Sequence, residues 1–425
     1  MTVGIVGMGA AGLLAALRLQ EAGIKTKLFE ARQRTGGRIH TIRVGDLQYD
    51  AGGEWLDADH ERCLTLCNDF GLEMLATGSW PRDIYYGEEH CTEATLWSEA
   101  LEDDLRVEAA ARELCRNLKP IPWENLEHGD LDEATLGDFL RASTHSARGL
   151  WWKTAQARSD EGDEPDRIGL LGWLCGYRHY LERDDDVMSA YRVQGGMQRL
   201  TDAIADRIVE PIQLGKVLKR VAQDQSGVTL EFEGYSERVD RAILTLPPPA
   251  LERVIFDPAL PKDKRCAVEA CGMSRTIKIV LEFSEPWWME MGSRGSIHTI
   301  LQLQQLWQGS HGGRPVLTSY ICGDDADFYR SKTAAVRHAY EELLLICPQA
   351  EGKFVGGWLH DWVGDPYAFG GFSHLAPGYV LEHMRHMPEA YGNIHFAGEH
   401  TASWTGFIEG AFESADRVVD EVLNA

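Results

Sequence analysis

The sequence predicts an α/β protein whose parallel sheet is assembled from both ends of the chain. Three observations carry that expectation. The opening stretch TVGIVGMGAAGLLAALRLQEAGIKTKLFEA passes from a β-branched strand through Gly7, Gly9 and Gly12 into an alanine- and leucine-rich helix, then into a second strand over 26–29 with Glu30 at its tip. The closing stretch HFAGEHTASWTGFIEGAFESADRV, which starts at His395, repeats the order strand, glycine-rich turn, helix. Strands alternate with helices at both ends, the pattern of a covered parallel sheet.

Each part of the opening unit has a physical reason. Gly7 makes a tight turn, Gly9 lets backbone approach a pyrophosphate, and Gly12 lets the helix lie close on the strand. The helix N-terminus, around Ala11, offers N–H groups and a positive dipole end to phosphate. Glu30, eighteen residues after Gly12, is spaced to accept hydrogen bonds from both ribose hydroxyls, with Ala31 and Arg32 beside it. The unit is therefore a Rossmann-like dinucleotide site, and by itself leaves NAD and FAD open. The next segment, RQRTGGRIHT, decides for FAD: a second close backbone approach at Gly37, with cationic side chains, suits the more extended cofactor and puts Arg38 beside the phosphates. YDAGGEWLDADH repeats the close approach at Gly52 and Gly53, with Glu54 next in line.

Composition bounds the function classes. The chain has 425 residues, 44% of them hydrophobic and 25% charged, enough for two or three cores. Its net charge of -24 argues against nucleic acid and against an anionic membrane surface, because both require a basic face. Nine scattered cysteines without a CxxC pair suggest neither a disulfide framework nor a zinc ribbon, and no metal site is expected. No apolar run is long enough to span a membrane, and the glycine motif begins too early to leave room for a signal peptide. A cytoplasmic protein is the expectation.

Further motifs then come into view in order: VQGGMQRLTDAIADRI from residue 193, VLKRV from 217, AILTLPPPAL from 242, TIKIVLEFSEPWW from 276, WVGDPYAFGGF from 362 and FAGEHTASWTGFIEGA from 396. Together they resemble the flavin-dependent amine oxidase family, its monoamine oxidase branch in particular. The resemblance covers about half the chain and implies that the last strand and turn return to the N-terminal domain, the final helix pointing its start at the flavin. Gly398 and Glu399 would then lie near the ribityl and pyrophosphate, and Gly406 and the amides of Phe407 and Ile408 near the flavin's pyrimidine carbonyls. Val217 falls where the family holds adenine by backbone bonds.

The family's chemistry moves a hydride from the carbon next to nitrogen onto the flavin, from the neutral amine. The positions matching its paired aromatic rings are Phe372 and Phe407. Lys278 matches a lysine that holds a water by the flavin, Trp362 a tryptophan packed on the ring, and Trp404 could narrow the cavity. Gly371 stands where some monoamine oxidases carry the cysteine bonded to flavin, so non-covalent FAD is expected. L-amino acid oxidases need an arginine for the substrate carboxylate, and the matching position holds Trp55; Arg82 or Arg178 would have to replace it. Asp57 falls where polyamine oxidases carry an acid that could hold a second nitrogen.

The resemblance thus implies an FAD-dependent amine oxidase taking a primary or secondary amine and O2 to an imine and H2O2. L-amino acid oxidase and polyamine oxidase are its rivals, and a homodimer is compatible with it. From another class, a flavoprotein serving as an interaction module through its acidic insertion stays open. The FAD-binding domain is expected from residues 1–76, 193–267 and 363–425. A mixed α+β substrate domain is expected from 77–192 and 268–362. The acidic runs SDEGDEPDR (159–167) and ERDDD (182–186) read as solvated loops or helix ends.

Overall fold

The computed structural model describes residues 1–78, 81–181, 187–291 and 295–424. The run ERDDD lies outside the described residues. At the centre stands a five-stranded sheet of β1 (Thr2–Val6), β2 (Lys25–Phe29), β3 (Ile212–Gln213), β4 (Arg241–Leu244) and β5 (Ile394–Phe396), in the order β5-β4-β1-β2-β3. Every neighbouring pair is parallel. A parallel sheet is covered on both faces, and the sequence of β1 fits that demand: all of TVGIV beyond its first residue is buried.

One face is covered by the helices from the two chain ends. Leu13 and Leu17 of the helix Ala10–Glu21 share an apolar cluster with Phe412, Ala415 and Val418 of the helix Ile408–Asn424. The other face packs Val6, Phe29, Leu244 and Phe396 onto Val221, Leu230 and Phe232 of a small sheet over residues 218–257. The termini are thus held together by hydrophobic burial before any ligand is considered.

A second sheet of seven strands is mixed, and the strand next to its edge, Thr276–Phe283, pairs antiparallel with both neighbours, Val316–Cys322 and the edge strand Phe354–Asp361. All eight residues of TIKIVLEF are buried, the lysine included. The two-residue period of a strand sorts them. Ile277, Ile279 and Leu281 enter a core with Trp287, Trp288 and the helix Ala335–Ile346. Val280 enters a different cluster with Leu47, Tyr49 and Ala51, so Lys278, two residues away on that side, faces the segment that follows the hairpin Thr41–Asp50.

The helix expected within 96–118 spans Ser98–Cys115, and the second strand starts one residue earlier than expected, at Lys25. The acidic run 159–167 is a helix end solvated in part: it closes the helix Ala147–Glu161 with Asp160 and Asp166 exposed, but Asp163 is 2% exposed, bound to Arg167 at 2.7 Å. Gly162 caps the helix in the left-handed region, φ 72°, and Asp163 then lies beside His374. No described helix is long and apolar enough to cross a membrane.

Candidate active site

A single cavity of about 2220 Å³ runs from the glycine loop at Gly7 and Glu30 to a far wall at Trp307 and Tyr320. That is well beyond the roughly 300–1,000 Å³ of an ordinary small-molecule pocket, and leaves room for an extended dinucleotide together with a substrate.

The glycine loop is built by contact distances. Gly7 has φ 96°, and a Cβ on Gly12 would stand 1.9 Å from the Gly7 carbonyl oxygen. Gly9 caps the first helix without a side-chain bond, and no acid occupies the first turn. Leu13 N donates the first helical bond, to Gly9 O, so the amides of Ala10, Ala11 and Gly12 have no carbonyl one turn back to bond. The second glycine pair lies directly on this loop: Gly36 N donates to Met8 O at 2.8 Å, and a Cβ on Gly37 would come within 3.2 Å of Gly9 Cα. Such a bare, amide-rich cradle fits a pyrophosphate.

Glu30 is buried at the tip of β2 and accepts from Met8 N at 2.7 Å and Arg32 N at 2.8 Å. It fixes the loop as well as facing the cavity with Ala31. Val217 lines the cavity just ahead of the strand Leu218–Asp224, rather than within it.

The three arginines after Glu30 are each engaged by protein partners. Arg32 forms a bidentate pair with Asp365, at 2.7 and 2.6 Å, and Arg34 donates to three carbonyls of its own loop. Arg38 lines the cavity, but one of its nitrogens is shared between Glu399, at 2.8 Å, and Gly371 O. The run of charge therefore holds the loop in place across more than three hundred residues of sequence.

Glu399 is the joint between the chain ends. Buried at 5% exposure, it accepts from Arg38, Ser373 N, Ser373 Oγ and Gly406 N. Burial alone would raise its pKa, but the Arg38 charge and the donated hydrogen bonds hold it below the usual glutamate value. His400 adds no charge at neutral pH, since burial pushes its own pKa down to about 4. Nearby, a Cβ on Gly53 would stand 3.1 Å from Ile408 Cδ1, so the third glycine pair admits the start of the final helix. Gly398 (φ 129°) and Gly406 (φ 86°) make the turns that lead into it. Phe407 N donates to Trp404 O at 3.3 Å, the carbonyl one turn before Ile408, the first helical residue.

Beneath the reacting end lies a buried charge network. Lys278 Nζ donates to Glu54 Oε2 and Gly52 O, each at 2.9 Å, and to Asp50 O at 3.2 Å. All three of its N–H bonds are thereby used. Glu54 lines the cavity and turns its carboxylate to Lys278, to Arg192 at 2.6 Å and to Trp307 Nε1 at 3.2 Å. Burial opposes its charge, and Arg192 and Lys278 together hold its pKa down. Arg192 also spans the Trp55 ring at 5.0 Å and donates to Gln308 O and Gly309 O. Neither Arg192 nor this network was singled out in the sequence. The only hint was an arginine in a strand, YRV, which any solvated face would also show.

The aromatic residues converge on the same cavity. Trp362, Phe372, Trp404 and Phe407 all line it. Trp362 is fixed by Nε1 donating to Ala51 O at 2.7 Å. Phe407 meets Trp404 and His60 edge-on, with centroids 5.6 and 5.3 Å away. Asp57 is buried, not a solvated loop acid, and accepts from Ser189 N at 2.8 Å beside His60. A Cβ on Gly371 would stand 2.2 Å from Thr276 Oγ1, so a cysteine could not enter there without displacing that threonine.

The model of a family described as flavin containing amine oxidoreductase matches residues 10–423. Among curated relatives, an L-amino acid dehydrogenase of Synechocystis is 24% identical, over 99% of this chain and 94% of its own. A putative flavin-containing monoamine oxidase, AofH, of Mycobacterium tuberculosis is 26% identical over 98% and 95%. Among solved structures, a cyclohexylamine oxidase from Brevibacterium oxydans superposes with a TM-score of 0.91 at 23% identity, covering 100% of this chain and 99% of that one.

Proposed function

The chain belongs to the flavin containing amine oxidoreductase family, and from that premise we propose that it is an FAD-dependent oxidase of primary or secondary amines, with O2 as acceptor and H2O2 as product. The glycine cradle, Glu30 and the Glu399 joint would hold FAD along the cavity. Bound FAD supplies a two-electron acceptor for the C–H bond next to nitrogen. The chain's own residues do the rest. Phe372, Phe407 and Trp404 form an apolar wall that excludes water and offers ring faces to an amine. Lys278, with its donors committed, supplies a fixed positive charge at the cavity floor that favours negative charge developing nearby. Holding a water as well would require one of its three bonds to be released, the longest being that to Asp50 O.

Amine rather than amino acid is the better-supported substrate, and one observation carries it: the guanidinium of Arg192, which lies over Trp55, already has its donors engaged by Glu54 at 2.6 Å and by Gln308 O and Gly309 O. Arg82 is likewise paired with Glu93 at 3.2 Å. A substrate carboxylate would have to break such a pair. Peroxide formation with tyramine, putrescine, spermidine and L-amino acids tests this. The amines are expected to be turned over in preference; a higher kcat/KM for an amino acid than for its decarboxylated amine would reverse the reading.

The two sheets are read as two domains, with FAD on the parallel one and substrate under the mixed one. The cofactor is read as non-covalent because Gly371 offers no thiol. On acid precipitation of the holoenzyme all yellow colour is expected in the supernatant, and colour remaining with the pellet would contradict this.

A further inference from the structure

One wall of the cavity is a face of the mixed sheet. His298, of the strand Ile297–Thr299, pairs with Gln305, Gln305 pairs with Tyr320, and Tyr320 pairs with Lys278. Residues paired across strands point to one side of a sheet, and all four line the cavity, while Ile297, Leu306, Ile321 and Ile277 enter the core behind it. His298 therefore stands three strand spacings, about 14 Å, from Lys278. The helix Ala147–Glu161 gives a second measure of the same trough. Trp152 meets the His298 ring edge-on with centroids 5.6 Å apart, and Gly162 lies so close to the other end that a Cβ there would stand 2.7 Å from Phe372 Cζ. From Trp152 to Gly162 the helix and its cap advance roughly 15 Å. Phe372 and Lys278 thus mark one end of the trough, and the imidazole marks the other.

His298 is 8% exposed, and among the described residues it has no hydrogen-bond or ion-pair partner. The polar side chains between it and the reacting end are less free: Gln305 donates to Ser159 Oγ at 2.9 Å, and Lys278 has its donors committed. A buried polar ring left without a partner is costly, and a ligand in the trough can supply one. Burial pushes the His298 pKa down to about 3, and the charge of Arg82 acts in the same direction. The ring is therefore neutral at working pH, with one nitrogen a donor and the other an acceptor. A hydroxyl answers whichever nitrogen faces it, because it both donates and accepts. A second ammonium could use only the acceptor and would meet the field of Arg82, and a carboxylate could use only the donor.

We infer that His298 is a specificity-determining residue that hydrogen-bonds a hydroxyl at the far end of the substrate, so that the preferred amines are amino alcohols long enough to reach it from Phe372. The inference rests on the amine oxidase reading and narrows it.

The test compares 6-amino-1-hexanol with hexylamine and 8-amino-1-octanol with octylamine on the flavin-loaded enzyme, with 1,6-diaminohexane and 6-aminohexanoate as charged rivals. The better amino alcohol is expected to exceed its alkylamine in kcat/KM by roughly five- to thirtyfold, the worth of one buried hydrogen bond, chiefly through KM. Dissociation constants read from anaerobic flavin bleaching should follow the same order. His298→Phe, which keeps a ring against Trp152 and removes both nitrogens, should bring the ratio toward one. His298→Asn, which keeps a donor and an acceptor, should recover part of it. A ratio near one for both pairs in the unaltered enzyme, a ratio unmoved in His298→Phe, or a higher kcat/KM for either charged rival than for the amino alcohols overturns the assignment while leaving amine oxidation standing. Failure to oxidise any amine would overturn both.

Discussion

Replacing Glu399 by alanine is expected to cost about 3–5 kcal/mol of stability, the penalty for leaving a buried partner charge uncompensated. The carboxylate receives Arg38 from the N-terminal loop, Ser373 from the segment that carries Phe372, and Gly406 from the turn before the last helix. Its loss therefore frees three segments at once, and bound flavin should fall with the unfolding midpoint. Denaturant unfolding, together with the ratio of flavin to protein after gel filtration, reads both effects. A variant of ordinary stability that retains full flavin would refute the role. The pH dependence carries a sign as well. Because the folded pKa of Glu399 is depressed, its contribution is fully present above the unfolded value of 4.5 and is lost as pH falls below that toward the folded value. Wild-type stability should thus drop on acidification below that point, and the drop should be shallower in Glu399→Gln.

Lys278→Met should lower the oxidase rate by about 10²–10⁴, the range for a positioned group acting in the transition state. The substitution keeps the length of the side chain and removes its charge. Asp50 O and Gly52 O lose a donor, while Glu54 keeps Arg192 and Trp307. Rapid-mixing measurements separate the half-reactions: the reaction of reduced enzyme with O2 should slow most, with reduction by amine affected less. If the lysine were only a structural tie, stability would fall and the oxygen reaction would stay as it was. Glu54→Gln offers a second check: it leaves the Lys278 charge without its anion, so on the electrostatic argument the oxygen reaction should not slow as it does in Lys278→Met.

Much of the cofactor cradle was legible because glycine constraints are local. Gly12 had to lack a side chain for the first helix to lie on β1, and the 1.9 Å separation from Gly7 O is that requirement expressed in space. The period of its strand put Lys278 on the face opposite Ile277 and Ile279, which alone would suit a solvated lysine; its burial was decided by the packing of the segment Asp50–Glu54 against it. The acidic run 159–167 was legible in part: Asp160 and Asp166 are exposed, as charge at a helix end usually is, whereas Asp163 is buried beside Arg167 and His374.

The sequence by itself determined the fold class, the glycine loop and which residues of each strand share a face, since these follow from backbone sterics and from periods of a few residues. Only the tertiary structure decided the partners of the charges. Lys278 finds Glu54 across 224 residues and Arg38 finds Glu399 across 361. With 42 basic and 66 acidic side chains in the chain, no local rule selects those pairs. They are selected by burial, which makes an unmatched charge too costly and leaves each one with the counter-ion that packing brings within reach.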